Sequence, residues 1–177
     1  MSEKRYLARY ITPAGLDNML MESDGEYLTT LSFEQETGGI RGELIISSDA
    51  LEVFQKTAAW LDHYFQKEPL PPFPDLKPDR STPFRSLISE LMIKIPYGES
   101  ITYGELAEQA ANILGKEKMS AQAVGQAVGH NPICILIPCH RVIGAGGTLT
   151  GYGGGLENKR WLLHHEGILF KDTEKEA

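Results

Sequence analysis

The chain has 177 residues, 41% of them hydrophobic and 23% charged, which is enough to bury a core without a metal or a disulfide. Its formal net charge of -7 argues against the broad basic surface of a protein that holds nucleic acid mainly through phosphates. No apolar stretch is long enough to cross a bilayer and the first residues are charged, so we expect a cytoplasmic protein, or a nuclear one in a eukaryote.

The cysteines and the charges are unevenly placed along the chain. Cys134 and Cys139 are the only cysteines and lie together in an apolar run, unlike the disulfide framework of a secreted domain, so we expect reduced thiols. Residues 1–81 carry 8 Lys and Arg against 14 Asp and Glu, whereas residues 82–170 carry 7 of each. Residues 171–177 are predicted to be a solvated acidic tail.

Residues 1–68 have the pattern of a small α/β domain. β-branched and aromatic residues concentrate in short stretches, separated by the turn-like pairs Asp24-Gly25 and Gly38-Gly39, which is typical of antiparallel strands. A helix is predicted next, behind a start signal at Ser48-Asp49, because apolar residues recur at helical spacing. The predicted strands are 6–11, 27–33 and 43–46, and the apolar residues of the helix are Leu51, Phe54, Ala58, Leu61 and Phe65.

Six of the ten prolines fall between Pro69 and Pro83, where neither a helix nor a central strand could persist. We therefore place a linker at 69–81 and a second domain at 82–170. That domain opens with a helix beginning at Thr82-Pro83, whose apolar stripe of Leu87, Ile88, Leu91 and Met92 ends before Pro96.

Two short helices are predicted to follow. Thr102 and Glu105 form a capping box for the first of them, which ends near Leu114 at Gly115. Ser120 is the N-cap candidate of the second. Two short helices joined by a turn make a helix-turn-helix, although the same pattern also occurs in proteins that never meet DNA.

The surface of the second helix is unusually smooth, since Ala121, Ala123 and Gly125 offer almost no side-chain bulk. Helix-turn-helix proteins usually read the major groove with long polar side chains. A smooth helix instead fits a narrow minor groove. This surface favours DNA binding over plain packing.

The segment 131–144 carries the reactive chemistry, since an apolar, strand-like run ends at a proline and is followed by Cys139-His140-Arg141. A reactive cysteine must be ionised, and imidazole and guanidinium groups nearby lower a thiol's pKa. The alternative for a cysteine is a small buried hydrophobic residue. We assign that role to Cys134, inside the aliphatic run.

Seven of the 18 glycines lie in the loop 144–155, which could fold tightly over something small or be a plain surface loop. It has neither a phosphate-binding loop nor a dinucleotide fingerprint, so no cofactor is expected. A last helix over 156–165 ends at Glu166-Gly167. His164 and His165 lack the spacing of a metal site, so no metal is expected.

Three motifs together carry a family resemblance: NP at 131–132, IPCHRVIG at 137–144 and GYGGGLENKRWLLHHEG at 151–167. They resemble the O6-alkylguanine-DNA alkyltransferases. The resemblance is strong over 82–167, whereas 1–81 resembles the family's variable N-terminal domain only in length and order of elements. It implies an α+β protein with a ribonuclease H-like N-terminal domain and a mainly helical, winged-helix-like C-terminal domain.

The same resemblance implies the roles of the site residues. Cys139 corresponds to the nucleophile, His140 to the residue that activates it through a water, and Glu166 to the carboxylate that orients the imidazole. Asn131 corresponds to the brace of the active-site turn and Tyr103 to the donor to the extruded guanine. The implied base-pocket residues are Val142, Tyr152 and Gly153, and the implied DNA-binding residues are Ser120, Ala121, Gln122, Ala123, Gly125 and Arg141.

The implied function is DNA repair by a monomer on double-stranded DNA, with cooperative binding left open. A base flipped from the duplex would lose its O6-alkyl group to Cys139, and the thioether formed is not reversed by thiol exchange, so each molecule would act once. O4-alkylthymine is a second candidate substrate.

The sequence departs from the family pattern at two positions. Gln122 stands where many members carry an arginine, which predicts weaker and less salt-sensitive DNA binding. Gly153 stands where some relatives carry a serine, which predicts tolerance of larger adducts.

Three other functions stay open at this point. A non-catalytic lesion-binding relative would lack Cys139, and a helix-turn-helix regulator would form no covalent product. A cysteine hydrolase would turn over repeatedly and would need a distant histidine rather than a sequence neighbour.

Overall fold

The computed structural model describes residues 4–37, 49–78 and 81–172 and shows a mixed α/β protein. These residues form five α-helices, a three-stranded antiparallel sheet and a two-stranded parallel pair. The chain divides into two compact units, Met1–Arg80 and Ser81–Ala177. None of the helices in the described ranges has the length and apolar character to span a membrane.

The sheet of the first unit has the strand order β1-β2-β3, with β1 at Tyr6–Tyr10, β2 at Met19–Ser23 and β3 at Leu28–Phe33. The composition of the sequence predicted β1 and β3 but missed the central strand, β2. Its residues are Met-Leu-Met-Glu-Ser, none of them β-branched or aromatic. All but Glu22 are buried, so burial between two neighbours outweighs weak strand propensity here. The predicted strand at 43–46 lies outside the described residues.

Helix α1, Glu52–Gln66, packs against β2 and β3. Phe54 and Leu61 of the predicted apolar stripe are fully buried. The predicted start at Ser48-Asp49 is wrong, because the N-cap is Leu51, which makes no side-chain capping bond. Ser48 and the predicted turn at 38–39 lie outside the described residues.

Part of the proline-rich segment belongs to the first unit and pairs with β3. The backbone N–H of Leu28 donates to the carbonyl of Asp75 over 2.8 Å, and the N–H of Lys77 donates to the carbonyl of Leu28 over 2.9 Å. Leu76 thereby forms a parallel bridge with Leu28. The prolines exclude regular structure from this segment but leave non-proline residues able to pair.

Helices α2 (Pro83–Ile93), α3 (Tyr103–Leu114) and α4 (Ala121–Gly129) pack against one another in the second unit. The predicted caps are confirmed. Thr102 and Glu105 form the capping box of α3, and Gly115 ends it in the left-handed region with φ +64°. Ser and Thr caps open the other two helices: Thr82 accepts from the N–H of Arg85, and Ser120 accepts from the N–H of Ala123.

The two short parallel strands, β4 (Ile101–Thr102) and β5 (Val142–Ile143), bring the start of α3 beside a distant part of the chain. Ile101 pairs with Val142, and Tyr103 follows β4 directly as the first residue of α3. Helix α5, Leu156–Glu166, closes the unit and ends at Gly167 with φ +72°, as predicted.

Candidate active site

A short 3-10 helix, Cys139–Arg141, leads directly into β5 and holds three buried residues. Cys139 is 3% exposed, His140 is completely buried and Arg141 is 6% exposed. All three side chains therefore act inside the protein rather than on its surface.

The apolar run before this helix is not the strand that its composition suggested. Residues 134–136 form a turn, and Ile135 has a φ of +69°, a region that a β-branched residue rarely adopts. The side-chain amide of Asn131 holds the turn, donating to the carbonyls of Ile133 and Ile137 over 3.2 and 2.8 Å. Its oxygen accepts from the N–H of Ile133. These bonds satisfy backbone carbonyl and N–H groups of the turn that would be paired with a neighbouring strand if the segment lay in a sheet.

His140 and Glu166 form a fully buried pair in which Nε2 lies 2.6 Å from Oε1. Burial lowers the pKa of His140 despite this carboxylate, so the imidazole is neutral at pH 7. Because Nε2 donates to the carboxylate, Nδ1 is the unprotonated nitrogen. Nδ1 is buried and has no hydrogen-bond partner among the described residues.

Arg141 was predicted to bind DNA, and the structure contradicts this. Its guanidinium donates to both carboxylate oxygens of Glu166, over 2.8 and 3.0 Å, and to the carbonyl of Ile95 over 2.7 Å. Burial alone would raise the pKa of Glu166, but the bonds and charges of His140 and Arg141 hold that pKa far below its usual range. Arg141 is the buried partner of this carboxylate and is not available to phosphates.

The thiol of Cys139 has its pKa lowered to about 7, and a hydrogen bond with the side chain of Cys134 is the largest cause. Burial opposes this, while hydrogen bonds to Asn131 and Tyr152 and the charge of Lys159 add to the lowering. At neutral pH a substantial fraction of the sulfur is therefore a thiolate, the nucleophilic form.

The groups that lower the pKa of the thiol are not the two sequence neighbours, His140 and Arg141, that the sequence suggested. His140 and Arg141 follow Cys139 in the chain, but their side chains point to Glu166. Cys134 is buried as predicted, yet it also acts on the nucleophile, which its aliphatic surroundings in the sequence concealed.

Two tyrosines from separate segments stand at the thiol. Oη of Tyr152 lies 3.7 Å from Sγ of Cys139, within hydrogen-bond range for sulfur. Burial raises the pKa of Tyr103, and the Cys139 thiolate raises it further. Burial also raises the pKa of Tyr152 well above its usual value, so both phenols keep their protons at pH 7. Val142 is completely buried beside them, and Gly153 is exposed in the loop next to Tyr152.

Lys159 belongs to this site and was missed by the sequence reasoning. It is completely buried, and its Nζ donates to the carbonyl of Val142 over 2.7 Å. The available signal was its position on α5, since Lys159 shares a helical face with the buried Leu162, Leu163 and Glu166.

The predicted DNA-binding residues of α4 form two groups. Ala121 and Gln122 are exposed at the start of the helix, behind the capping hydroxyl of Ser120, and these three line an open depression of about 760 Å³. Ala123 and Gly125 are half-buried. A methyl group on Gly125 would lie 3.8 Å from the ring of Tyr103, so this glycine faces the site rather than the surface.

Comparison with known proteins identifies the family. A family model described as the DNA binding domain of 6-O-methylguanine DNA methyltransferase matches residues 83–168. A Haemophilus influenzae protein named methylated-DNA--protein-cysteine methyltransferase is 42% identical over 173 residues, which cover 97% of this chain and 91% of that protein. The chain belongs to the methylated-DNA-protein-cysteine methyltransferase family. The resemblance drawn from its motifs is confirmed.

Other members of the methyltransferase family agree in sequence and fold. A Shigella flexneri protein of the same name is 52% identical over 88 residues, or 50% of this chain and 48% of that protein. The crystal structure of Mycobacterium tuberculosis OGT in complex with DNA matches with a TM-score of 0.74 and 35% identity, covering 91% of this chain and 92% of that one. The residues of the candidate site all lie within 83–168, the segment that the family model matches.

Proposed function

We propose that the chain repairs alkylated DNA by moving an alkyl group from O6 of guanine to Sγ of Cys139, once per molecule. The observation that carries the proposal is a buried thiol with a pKa near 7. This thiol adjoins a buried neutral imidazole held by a carboxylate. A soft thiolate is the nucleophile that this displacement needs.

The proton of the thiol leaves through His140. Glu166 fixes Nε2 as the protonated nitrogen, which leaves Nδ1 as a base inside the site. Nδ1 receives the proton from Cys139 through an intervening water, the route that the family resemblance implies. Glu166 stabilises the imidazolium that results.

The alkyl transfer itself is a single displacement. The Sγ lone pair forms a bond to the alkyl carbon while the bond from that carbon to O6 breaks, and the electron pair stays on guanine. The phenol of Tyr103 donates a hydrogen bond to the departing guanine anion, which takes a proton from water and is thereby restored intact, while the His140 imidazolium returns its proton to water. The thioether cannot be exchanged by another thiol, so the reaction is stoichiometric.

The buried position of the sulfur requires an extruded base. With Cys139 only 3% exposed beside Tyr152, a base stacked in a duplex cannot reach it. Asn131 keeps the turn before the nucleophile in place, and Val142, Tyr152 and Gly153 form the walls of the base pocket.

DNA lies against the start of α4 in this proposal. Ser120, Ala121 and Gln122 face outward there, and Gln122 fills the space left by the extruded base. DNA is supported as the partner by the Mycobacterium tuberculosis relative, whose crystal structure was solved in complex with DNA. Arg141 takes no part in DNA binding, because its guanidinium is bound to Glu166.

The finer fold and domain assignments belong to this proposal as well. The antiparallel sheet with α1 supports a ribonuclease H-like domain at 1–68, and 69–81 is its connection to the next domain. The α3 and α4 pair beside β4 and β5 supports a winged-helix-like catalytic domain at 82–170.

The deciding experiment incubates the protein with DNA carrying O6-methylguanine, digests the protein and weighs the peptide that contains both cysteines. We expect one added methyl per chain, located on Cys139 by fragmentation. Cys139→Ser should remain unmethylated, whereas Cys134→Ser, the matched control, should still accept the group. Binding without a mass change would identify a lesion-binding protein or a regulator, and repeated turnover would identify a different enzyme.

A further inference from the structure

The glycine-rich loop that carries Tyr152 is held by residues 168–172, the post-helix segment that follows α5. The backbone N–H of Leu149 donates to the carbonyl of Lys171 over 2.8 Å, and the N–H of Lys171 donates to the carbonyl of Gly147 over 2.8 Å. The two bonds form a short parallel bridge between the loop and the segment. The first half of the loop is therefore bound to a part of the chain that lies beyond α5.

The post-helix segment is itself held by an ion pair with α5. Both carboxylate oxygens of Asp172 accept from the guanidinium of Arg160, over 2.6 and 2.9 Å, and the two side chains are 15% and 8% exposed. A bidentate pair of this kind has a fixed geometry, so residue 172 has a fixed place on α5. The predicted solvated tail is therefore wrong at Asp172, and residues 173–177 lie outside the described residues.

Apolar packing holds the same part of the loop. Leu149 is 6% exposed and belongs to a buried cluster with one residue each from β5, α5 and the post-helix segment, namely Ile143, Leu163 and Ile168. Strand β5 directly follows the 3-10 helix that begins at Cys139. The loop at Leu149 is therefore fixed relative to the nucleophile by side-chain packing as well as by hydrogen bonds.

Tyr152 lies in a short span between two such fixed points. It follows Leu149 by three residues, and its Oη lies 3.7 Å from Sγ of Cys139. On its other side, the side-chain amide of Asn158 donates to the carbonyl of Gly154 over 2.7 Å. Glycine restricts the backbone least, so the conformation of this glycine-rich span depends on how its two ends are held.

We propose that Asp172 is a positioning residue for alkyl transfer, which holds the phenol of Tyr152 at the nucleophile and fixes the size of the base pocket through the post-helix segment. The proposal rests on the proposed function for its substrate, but the position of Tyr152 beside the thiol needs no DNA. When the ion pair with Arg160 is broken, the segment and the loop can move outward together. A displacement of about 1 Å at a reacting site can cost about a hundredfold in rate.

The first test follows the thiol without DNA. Asp172→Asn removes the charge that binds Arg160 and keeps a side chain of the same size. Because the hydrogen bond to Tyr152 helps to lower the pKa of Cys139 to about 7, we expect the pH midpoint of iodoacetamide reaction at Cys139 to rise by about half a unit. The matched control is Glu157→Gln, which removes another carboxylate bound to Arg160 and should keep the parent midpoint.

The second test removes a backbone contact of the segment and leaves the ion pair in place. Lys171→Pro deletes the N–H that donates to Gly147, whereas Lys171→Ala keeps it and shortens only an exposed side chain. We expect Lys171→Pro to raise the midpoint as Asp172→Asn does, and Lys171→Ala to match the parent. If Asp172→Asn does not fold, Lys171→Pro decides. A parent midpoint in either folded variant, even with lower stability in urea, would show a structural role only and overturn the proposal.

The third test measures the size of the pocket with duplexes that carry O6-methylguanine or O6-benzylguanine. We expect Asp172→Asn to lower the methyl-transfer rate about tenfold and to raise the ratio of benzyl to methyl rates about fivefold, because a released loop gives way to a larger group. Glu157→Gln should change neither value. An unchanged ratio in Asp172→Asn would overturn the proposed control of pocket size. No methyl transfer in the parent would contradict the proposed function, whereas the midpoints measured without DNA test the positioning of Tyr152.

Discussion

Glu166 accepts a 2.6 Å hydrogen bond from His140 at a site where both side chains are inaccessible to solvent. The same carboxylate accepts two bonds from Arg141 and one, over 3.1 Å, from the backbone N–H of Gly98. A single carboxylate therefore connects the end of α5, the 3-10 helix of the nucleophile and the segment that precedes β4.

Replacing this carboxylate should weaken the fold as well as the reaction. In Glu166→Gln, the buried guanidinium of Arg141 loses its counter-charge, and we expect the free energy of unfolding to fall by about 3 kcal/mol. Urea denaturation measures this. The matched control is Glu157→Gln on the same helix, where the side chain is 83% exposed and a smaller loss is expected. Equal losses in the two variants would contradict the structural role of Glu166.

The pH dependence of stability should show the same carboxylate. The folded-state pKa of Glu166 lies below its ordinary value of 4.5, so its contribution is fully present above that value and is lost as the pH falls below it. The free energy of unfolding, measured from pH 7 downward, should drop more steeply below about 4.5 in the parent than in Glu166→Gln. Parallel curves would exclude Glu166 as the source.

Cys134 should control the ionisation of the nucleophile. Cys134→Ala removes the hydrogen bond that lowers the pKa of Cys139 most, so the pKa should rise above about 7. Cys134→Ser keeps a donor and should lie closer to the parent. Rates of iodoacetamide reaction at Cys139 against pH give the midpoints, and identical midpoints in the parent and Cys134→Ala would rule out this contact.

Gln122 should limit the electrostatic part of DNA binding. Gln122→Arg adds one positive charge on the exposed face of α4, so the affinity should rise and the slope of log K against log salt should steepen by about 0.9. Titrations of a fluorescent duplex at several salt concentrations measure both. Gln109→Arg on the exposed face of α3 is the matched control. If neither quantity changes in Gln122→Arg, position 122 does not face the duplex.

Gly153 should set the size of the adduct that the pocket accepts. It is not among the glycines with positive φ, so a serine fits the backbone there. Gly153→Ser should lower the rate for O6-benzylguanine relative to O6-methylguanine by about tenfold, because the side chain narrows the loop. Gly151→Ser, at an exposed position where an added Cβ would meet nothing within 4 Å, should leave the ratio unchanged. The same ratio in all three proteins would show that the loop does not contact the adduct.

Local signals in the sequence predicted helix ends well. Examples are the Thr102-Glu105 capping box, the N-cap Ser120 and the helix-ending Gly167. In each case both partners of the interaction lie within a few residues of each other, so a short stretch of sequence is enough to predict it. Predictions that depended on distant partners failed. Strand β2 is a strand because both of its edges are paired, and the turn at Ile135 exists because Asn131 bonds to two carbonyls.

In the candidate site too, local motifs were predicted correctly and contacts between distant residues were not. Motifs located Cys139, His140 and Glu166, but the direction of each side chain depends on packing, and that is why Arg141 was assigned to DNA and Lys159 was overlooked. From sequence alone, both the lysine and the arginine are expected to be exposed to solvent. Only the contacts show that Arg141 binds Glu166 and that Lys159 donates to the backbone carbonyl of Val142.

The pairing of Ile101 with Val142 has a consequence for how this protein could be re-engineered. The pairing of β4 with β5 holds the segment of Tyr103 next to the segment of Cys139. The spacing between the phenol of Tyr103 and the sulfur of Cys139 therefore does not depend on the conformation of the glycine-rich loop. Evolution or design can therefore widen the range of accepted lesions by changing residues 144–155 other than Tyr152, which contacts the sulfur, while leaving the reacting geometry intact. Changes in the two short strands would instead alter the chemistry for every substrate at once.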